Sequence, residues 1–443
     1  MAVAALPSLL TEVETEVGAS RPDAVDAAVK AFRAKASPLE LARAAARGIA
    51  THYDRASGVA PRSLAILGAA ANLTSVMEPR FQVLPVLQAI AYAASEKKPA
   101  ALAKPPLVVS GEVTHLGRSF LFAVRAGDVA EAESIFLGMV DEGWERKMAG
   151  DMLFRAALED MGEGGRKLFL AVKAWQLARS LGFKEARTIL RPAIDYLVKG
   201  PRDRTAYESI LRVLGKEWVD LDGLASGGRP LDDEGRTKVL AVTAAASESA
   251  CIEAILALLR EGYAATSVAE GLAVDAARRI VASPGYDTEA ARRLLFAHAS
   301  RFVLSFSRTN ERLYALFQAA LRLRSPELSA PLAPPAAAAS EGEELCHLAG
   351  EFDARKPREA AARVRAYVAR GYSTPRMLDV LANYACRDAT RANDGFNVLL
   401  ADACTAEFLA AKAPAVPMAL AKMIAASPKD QAAYESWTPL FTP

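Results

Sequence analysis

Apolar residues recur along this 443-residue chain at the three- and four-residue spacing of amphipathic helices. The segment KLFLAVKAWQLARSLG is typical, because Leu168, Val172, Trp175 and Leu181 recur in it at helical spacing. Alternation of β-branched and polar residues, which indicates strands, is nearly absent, and alanine, leucine and arginine dominate the composition. We therefore predict an all-α fold.

One helical pattern recurs four times along the chain. The two clearest copies end at Asp160 and Asp388, which are 228 residues apart, and the glycines Gly143 and Gly371 have the same separation. Because 228 residues is close to half of the 443-residue chain, the pattern predicts an internally duplicated multi-helix array. Such an array would have two pseudo-symmetric halves and four related units, stacked as similar helical layers.

The repeats also predict where the halves and units begin and end. The N-terminal half covers residues 1–222, with units at about 20–96 and 112–218. The C-terminal half covers residues 237–443, with units at about 237–324 and 343–443. Segment 223–236 is the predicted seam because it combines four glycines with a proline and a short acidic run.

Shorter signals mark the boundaries of individual elements. Two proline-rich stretches, 97–111 and 325–342, are predicted to be surface connectors between units. Three glycine–aromatic pairs are predicted to end helices with the glycine at the C′ position. These pairs are Gly143-Trp144, Gly262-Tyr263 and Gly371-Tyr372.

Charge and composition exclude several classes of partner. The chain has 54 basic and 52 acidic residues, a net charge of +2, so we expect neither nucleic acid nor an anionic membrane surface as partner. No apolar run is long enough to predict a membrane span. The N-terminal segment lacks the basic region of a secretory signal, and the four cysteines show no CxxC spacing. We therefore expect a protein of the reducing cytoplasm.

Candidate metal ligands come from a spacing shared by two segments. Glu112 with His115, and Glu344 with His347, each form a Glu-x-x-His motif, which places both side chains on one face of a helix. Carboxylate-bridged sites for two iron or manganese ions use this spacing. The register-equivalent aspartates at the ends of the clearest repeats could complete such a site. These are Asp160 and Asp388.

A structural interpretation of the same residues stays open. Glutamates are favoured near helix starts by the helix dipole alone, and an aspartate before a glycine-rich break can cap a turn through its side-chain oxygen. His298, in the segment RRLLFAHASRF, is typical of a semi-buried histidine with its hydrogen bonds satisfied. The segment MGEGGRK follows a helix and lacks the full pattern of a phosphate-binding loop.

Three segments, GDVAEAESIFLGMVDEG, GRKLFLAVKAWQLARSLG and DGFNVLLADAC, carry a resemblance to known helical proteins. They resemble a bacterial all-helical module found behind Rieske iron–sulfur domains, and the questin-oxidase-like helical proteins. The resemblance implies a histidine just after the glycine or proline that opens each inner helix. This chain has Arg62, Arg166 and Asn397 at those places, and no Cys-x-His ligand pair of a Rieske centre. These departures weaken the case for inherited metal or redox chemistry.

The sequence predicts a function only in outline. Stacked helical units offer concave surfaces, so we expect a non-catalytic binding or scaffold protein with a protein partner or a small-molecule ligand and no cofactor. A degenerate enzyme that retains a ligand pocket belongs to the same expectation. The alternative is a metal-dependent, oxidoreductase-like enzyme that holds two iron or manganese ions and a small organic substrate between the halves.

Overall fold

The structure is a computed structural model that describes residues 6–53, 58–96, 108–140, 143–325, 332–336 and 338–441. These residues are mainly helical, which confirms the all-α prediction. Within the described ranges no strand forms. Arg229 and Tyr263 form an isolated parallel β-bridge.

Most helices are between 9 and 19 residues long and are numbered in chain order. Their bounds are α1 Leu6–Gly18, α2 Ala24–Arg33, α3 Pro38–Thr51, α4 Arg62–Leu73, α5 Leu84–Ser95, α6 Val113–Ala126, α7 Val129–Met139, α8 Gly143–Leu158, α9 Gly162–Ser180, α10 Ala186–Ile189, α11 Arg191–Lys199, α12 Thr205–Lys216, α13 Leu221–Ala225, α14 Asp233–Thr243, α15 Glu248–Arg260, α16 Ala265–Ala282, α17 Thr288–Phe306, α18 Leu313–Leu323, α19 Glu341–Asp353, α20 Pro357–Ala369, α21 Thr374–Ala385, α22 Phe396–Ala411, α23 Ala415–Ala426 and α24 Ala432–Trp437.

Local sequence explains where many of these helices begin. Ser37 and Glu40 form a capping box at the start of α3, in which each side chain satisfies the backbone N–H of the other residue. Asp287 accepts the N–H groups of Glu289 and Ala290 at the start of α17. Side-chain caps of this kind satisfy amide groups that have no partner inside the helix.

The glycine prediction for helix ends is confirmed at two of its three positions. Gly262 and Gly371 follow α15 and α20 with left-handed φ values of 85° and 69°, as expected for a C′ glycine. The prediction for Gly143 is wrong, because this residue begins α8 instead of following a helix end. Glycine is also tolerated at a helix start, where the first amide groups lack intrahelical partners.

Helices in the two halves follow the same order. The first five helices, α1 to α5, correspond in order to α14 to α18. The next correspondence pairs α6 with α19, α7 with α20, α8 with α21, α9 with α22 and α11 with α23. The starts of α6 and α19, at Val113 and Glu341, are 228 residues apart, and so are the starts of α7 and α20. This order is what a duplication would produce. The duplication itself, and the division into two halves, stay predictions.

A pair of buried glutamines repeats the correspondence between distant parts of the chain. The amide of Gln88, on α5, donates to the backbone oxygen of Cys386 after α21 (2.9 Å). The amide of Gln318, on α18, donates to the backbone oxygen of Leu158 at the end of α8 (2.5 Å). Each glutamine therefore joins one predicted half to the other through a carbonyl that helix geometry leaves without a partner.

Four inner helices form a ring at the middle of the molecule. Helix α4 packs against α9, α9 against α17, α17 against α22, and α22 against α4. Their facing residues belong to a continuous apolar core that includes Leu67, Trp175, Phe296 and Leu400. The ring brings together helices that are more than 300 residues apart in sequence, and it sets the geometry of the site described below.

The first predicted connector lies largely outside the described residues, which end at 96 and resume at 108, whereas the second is described at 325, 332–336 and 338–342. The predicted seam, 223–236, contains the last turn of α13, the bridge residue Arg229 and the first turn of α14. Among the helices that the structure describes, none combines the length and apolar character needed to cross a bilayer.

Candidate functional site

A pocket opens where the N-terminal ends of the four inner helices meet, and we call it the central pocket. The first turns of α4, α9 and α22 and the second turn of α17 provide its walls. The lining residues are Ala60, Arg62, Ala65, Ile66, Glu163, Gly164, Gly165, Arg166, Phe169, Leu170, Arg292, Leu295, Phe296, Asp394, Phe396 and Leu399.

The central pocket is narrow and mostly apolar. About 620 Å³ of space lies between its walls when the open mouth is included, but the centre of a water molecule can move through only about 60 Å³. The volume of about 60 Å³ describes the enclosed part of the pocket, because the volume of about 620 Å³ includes bulk solvent at the mouth. An enclosed volume of this size suits a ligand of a few heavy atoms, since a cavity that holds benzene measures about 150 Å³.

The chain enters α9 through a left-handed turn that shapes one wall of the pocket. Glu163, Gly164 and Gly165 have φ values of 51°, 73° and 83°, so the regular part of α9 begins at Arg166. A Cβ atom on Gly165 would lie 2.2 Å from Cε2 of Phe296. Both the backbone conformation and the close approach of α17 therefore require glycine at this position.

Helix α22 begins with a similar left-handed turn on the opposite side of the ring. Asp394 and Gly395 have φ values of 53° and 78°, and a Cβ atom on Gly395 would lie 2.3 Å from Cδ1 of Ile66. The two turns each place a carboxylate residue, Glu163 or Asp394, at the rim of the pocket.

Three arginines surround the pocket, and two carboxylates partly neutralise them. Arg62 pairs with Asp394, and Arg166 pairs with Glu163 across 3.0 Å. Arg292 lies with its guanidinium carbon 5.7 Å from the ring centre of Phe396, and its nearest carboxylate, that of Glu289, is 3.8 Å away. The lining residues therefore carry one more positive than negative charge, and the N-terminal ends of the helices add further positive potential.

Two buried tyrosines hold these carboxylates in place. The hydroxyl of Tyr92 donates to Asp394 (3.0 Å), and that of Tyr196 donates to Glu163. Burial, followed by the neighbouring carboxylates, raises the pKa of both phenols well above its ordinary value. Both tyrosines therefore stay protonated and continue to donate at any physiological pH.

A second polar cluster, which we call the polar centre, lies one to two turns further along the same four helices. Each inner helix contributes to it: Asn72 from α4, Lys173 and Gln176 from α9, His298 and Arg301 from α17, and Asp402 and Glu407 from α22.

Lys173 is the hub of the polar centre, and its side chain is fully buried. Its ammonium pairs with Asp402 and donates to Gln176 Oε1 (3.0 Å) and to His298 Nε2 (3.2 Å). The amide of Asn72 donates to Asp402 Oδ1 (3.2 Å), which completes the contacts of that carboxylate. Burial of the ammonium is tolerable because every one of its three donors has an acceptor.

His298 connects Lys173 to a buried carboxylate. Because an ammonium can only donate, Nε2 of His298 must accept, and its Nδ1 then carries the proton that it donates to Glu407 (2.8 Å). Arg301 also binds Glu407, at 2.7 Å. Burial and the charge of Lys173 lower the pKa of His298, so the imidazole is neutral at pH 7.

Glu407 stays ionised although burial opposes its charge. The hydrogen bonds from His298 and Arg301 and the charge of Arg301 outweigh the burial and lower the pKa of Glu407. The polar centre thus holds two positive groups, Lys173 and Arg301, and two negative groups, Asp402 and Glu407. These charges balance, so the polar centre stabilises itself and does not attract a ligand.

The ring of Phe169 lies between the central pocket and the polar centre. It lines the pocket, and its centre is 5.8 Å from Nζ of Lys173. The pocket therefore ends on an aromatic floor, and Lys173 faces the π-electrons of that floor instead of the pocket space.

The first predicted metal-ligand pair has a local structural role. Glu112 is exposed and caps α6, because its carboxylate accepts the N–H groups of Thr114 (2.9 Å) and His115 (2.8 Å). The hydrogen bonds from Thr114, and then that from the amide of His115, lower the pKa of Glu112. His115 is also exposed. The structural interpretation of Glu112 as a helix-start acid therefore accounts for its geometry.

The second predicted pair is arranged differently. Glu344 is fully buried and pairs with Arg363 (3.1 Å) and with Arg370. His347 is half-buried. Its Nε2 contacts the carboxylate of Glu343, at 3.8 Å, instead of the carboxylate of Glu344 that the motif predicted. Both oxygens of Glu344 are already engaged with guanidinium groups, which leaves the carboxylate poorly suited to a metal.

Asp160 and Asp388 each bind a loop that follows a neighbouring helix. Asp160 accepts the N–H groups of Gly162 (2.8 Å) and Asp203 (2.9 Å) and pairs with Lys167 (2.6 Å). Asp388 accepts the N–H group of Asp430 (3.3 Å) and pairs with Lys429 (3.2 Å). The Asp203 and Asp430 contacts are equivalent in the two predicted halves. Both aspartates act as caps of turns, as the structural interpretation predicted.

The six predicted ligands are not brought together. Within the described ranges, no group of three or more His, Cys, Asp or Glu side chains is arranged to hold a metal ion. Each of the four carboxylates instead serves a helix cap, a loop or an arginine pair. The di-metal hypothesis therefore has no support in the part of the chain that the structure describes.

Sequence reasoning missed Lys173, Asp402 and Glu407. A signal for them was present, because Lys173 and Asp402 interrupt the apolar faces of AVKAW and LLADAC. A charged residue on such a face is buried only with a partner. Arg62 and Arg166 were singled out by the resemblance as departures from histidine, and both line the central pocket. Asn397 is buried and accepts a hydrogen bond from Tyr286 (3.1 Å).

The comparisons with known proteins add nothing to this geometry. No family model, no curated protein and no solved structure matches the chain. The function must therefore be argued from the two clusters themselves.

Proposed function

We propose that this chain is a helical-repeat binding protein that holds a small organic carboxylate in the central pocket. The observation that carries the proposal is the set of three arginines, Arg62, Arg166 and Arg292, around an apolar cavity at the N-terminal ends of four helices. Guanidinium groups and helix N-termini both favour an anion. The two rim carboxylates leave the lining with a net positive charge.

The shape of the pocket limits the size of the ligand. Its aromatic floor and the side chains of Leu295 and Phe396 would bury a short hydrocarbon body, while the arginines would bind the carboxylate at the rim. The narrow enclosed part excludes nucleotides and other large anions. A carboxylate with a hydrocarbon body of two or three carbons fits these limits.

Arg292 is the arginine best placed to bind the ligand. Its carboxylate neighbour is the most distant of the three, and its side chain is 39% exposed. Arg62 and Arg166 have close partners in Asp394 and Glu163. They contribute positive potential, but an anion would have to compete with those carboxylates for their hydrogen bonds.

The proposal can be tested by titrating the chain with acetate, butyrate and isovalerate, followed by NMR shifts and calorimetry. Butylamine and butanol serve as matched ligands that lack the negative charge. We expect butyrate to bind more tightly than acetate, which has less hydrocarbon to bury, and more tightly than isovalerate, whose branched body is too wide for the enclosed part. Arg292→Gln should weaken binding by roughly tenfold, since a charge-assisted hydrogen bond contributes about 1.5–3 kcal/mol.

Two further variants separate the pocket from general charge effects. Ala65→Leu should fill the space next to Ile66 and abolish binding without changing the charge, because Ala65 lines the pocket. Arg118→Gln removes an exposed charge on α6, outside the pocket, and should leave binding unchanged. The proposal is wrong if Ala65→Leu binds the carboxylates as tightly as the native chain does. It is also wrong if no carboxylate binds at about 10 mM, a concentration at which even weak specific ligands bind.

A further inference from the structure

A second cavity lies at the opposite end of α22, and we call it the basic groove. Helices α14 and α16 and the end of α22 enclose it, and the centre of a water molecule can move through about 450 Å³ of its space. The groove includes Ala410 and Ala411, whereas the central pocket includes Phe396. At 1.5 Å per residue, the two sites are about 20 Å apart along α22.

Three basic side chains line the basic groove: Arg236, Arg278 and Lys412. Arg236 lies 2.7 Å from Asp233. Within the described ranges, neither Arg278 nor Lys412 forms an ion pair. Most arginines of this chain that line a cavity are paired, so two exposed cations facing one groove without carboxylate partners indicate an anionic ligand.

The backbone of Lys412 supports this interpretation. Lys412 ends α22 with a left-handed φ of 53°, a conformation that glycine or asparagine adopts at much lower cost. Lys412 therefore has a strained backbone conformation that glycine would adopt at lower cost, and its side chain lines the groove. Strain that persists at a cavity is typical of functional positions.

The groove also offers hydrogen-bonding groups beside the cations. Ser267 accepts the N–H of Leu231 (2.9 Å), so its own O–H is available as a donor to a ligand. Glu270 is a half-buried carboxylic acid in the wall. Burial is the main cause that raises its pKa, with the charge of Glu407 adding to it. The charge of Arg301 opposes this shift, and the raised pKa makes Glu270 easier to protonate than an ordinary glutamate when an anion binds beside it.

We propose that the basic groove is a second ligand site, which binds the phosphate group of a small phosphate monoester through Arg278 and Lys412. A phosphate dianion matches two unpaired cations better than a single carboxylate does. The groove has room for an organic body, which would pack on the apolar side chains of Leu231 and Val274. The net charge of +2 for the whole chain argues against an extended polyanion such as nucleic acid.

Titration with ribose 5-phosphate and with ribose, followed by calorimetry at low salt, tests the site. We expect the native chain to bind ribose 5-phosphate and not ribose. Arg278→Gln should weaken binding by about tenfold. Lys412→Gly should do the same while leaving the thermal midpoint unchanged or higher, because glycine relieves the left-handed strain. Glu270→Gln should bind at least as tightly as the native chain.

Matched controls keep the test specific. The double variant Arg118→Gln/Lys184→Gln removes two exposed charges elsewhere and should bind normally, as should Arg292→Gln in the central pocket. Vesicles containing phosphatidic acid show whether the phosphate belongs to a lipid headgroup or to a free metabolite. Weaker binding of either probe by both Arg278→Gln and Lys412→Gly supports the site. If Arg278→Gln and Lys412→Gly bind ribose 5-phosphate and the vesicles as the native chain does, or if no chain binds either probe, the inference is wrong. Neither result bears on the central pocket.

Discussion

The central pocket and the polar centre are built by the same four helices, one to two turns apart, yet their charges do different things. In the polar centre, Lys173 and Arg301 face Asp402 and Glu407; every charge is paired, and all but the partly exposed Arg301 are buried. In the central pocket, three arginines face two carboxylates around an open mouth. Charges that pair with each other hold the helices together, and the excess positive charge at the central pocket is what we propose a ligand binds.

The largest expected effect comes from breaking the polar centre. Lys173→Met removes the partner of Asp402 and should lower the free energy of unfolding by about 3–5 kcal/mol, because an uncompensated buried charge remains. The double variant Lys173→Met/Asp402→Leu should recover most of that loss. Urea denaturation at pH 7 measures both. If the double variant loses as much stability as the single variants Lys173→Met and Asp402→Leu lose together, the two residues are not coupled. The polar centre would then not be held together by charge pairing.

The next effect tests the turn that shapes the pocket. Gly165→Ala should cost about 3 kcal/mol, because it adds a clash with Phe296 to the cost of a left-handed alanine. Gly182→Ala is the matched control: its φ is 72°, but a Cβ atom there has no neighbour within 4 Å. It should cost only about 1 kcal/mol. Equal losses of stability for the two variants would show that α17 does not approach α9 as described.

Lys422 extends the comparison to a buried lysine that donates to a hydroxyl, that of Ser283 (3.1 Å), instead of to a carboxylate. Burial lowers the pKa of Lys422 to about 8, although the charge of Asp287 opposes the shift. Its charge therefore destabilises the fold at neutral pH, and Lys422→Met should raise the free energy of unfolding at pH 7 by about 1–3 kcal/mol.

The pH dependence of this gain follows from the direction of the shift. Between pH 8 and the ordinary lysine value of 10.5, the unfolded chain keeps the proton that the folded chain has lost, so native stability rises with pH. The advantage of Lys422→Met should therefore shrink between pH 8 and 10. Denaturation curves at pH 7, 9 and 10 measure it, and a constant difference across this range would contradict the assignment.

The smallest effect is expected at the rim of the pocket. Arg292→Gln should change the free energy of unfolding by no more than about 0.5 kcal/mol, since its contacts are long and partly exposed. The same variant should weaken carboxylate binding, as described above. A large loss of stability in this variant would place Arg292 with the structural charges and not with the binding charges.

Parts of this comparison were predictable and parts were not. The left-handed glycines at 262 and 371 follow from glycine–aromatic pairs at helix ends. The Glu-x-x-His spacing predicted a shared metal site, but spacing along one helix does not determine what the facing helices provide. Glu344 lies against Arg363 and Arg370, and those partners are invisible to a local pattern.

The sequence by itself determined the helices of this protein, because helix periodicity, capping residues and terminal glycines act over a few neighbouring positions. Only the tertiary structure decided which charges meet. Lys173 and Asp402 are 229 residues apart in the chain, and whether a buried charge finds a partner depends on how the four inner helices pack. The excess of arginine at the central pocket arises from the same packing, since it places three helix starts with one basic side chain each around a single cavity.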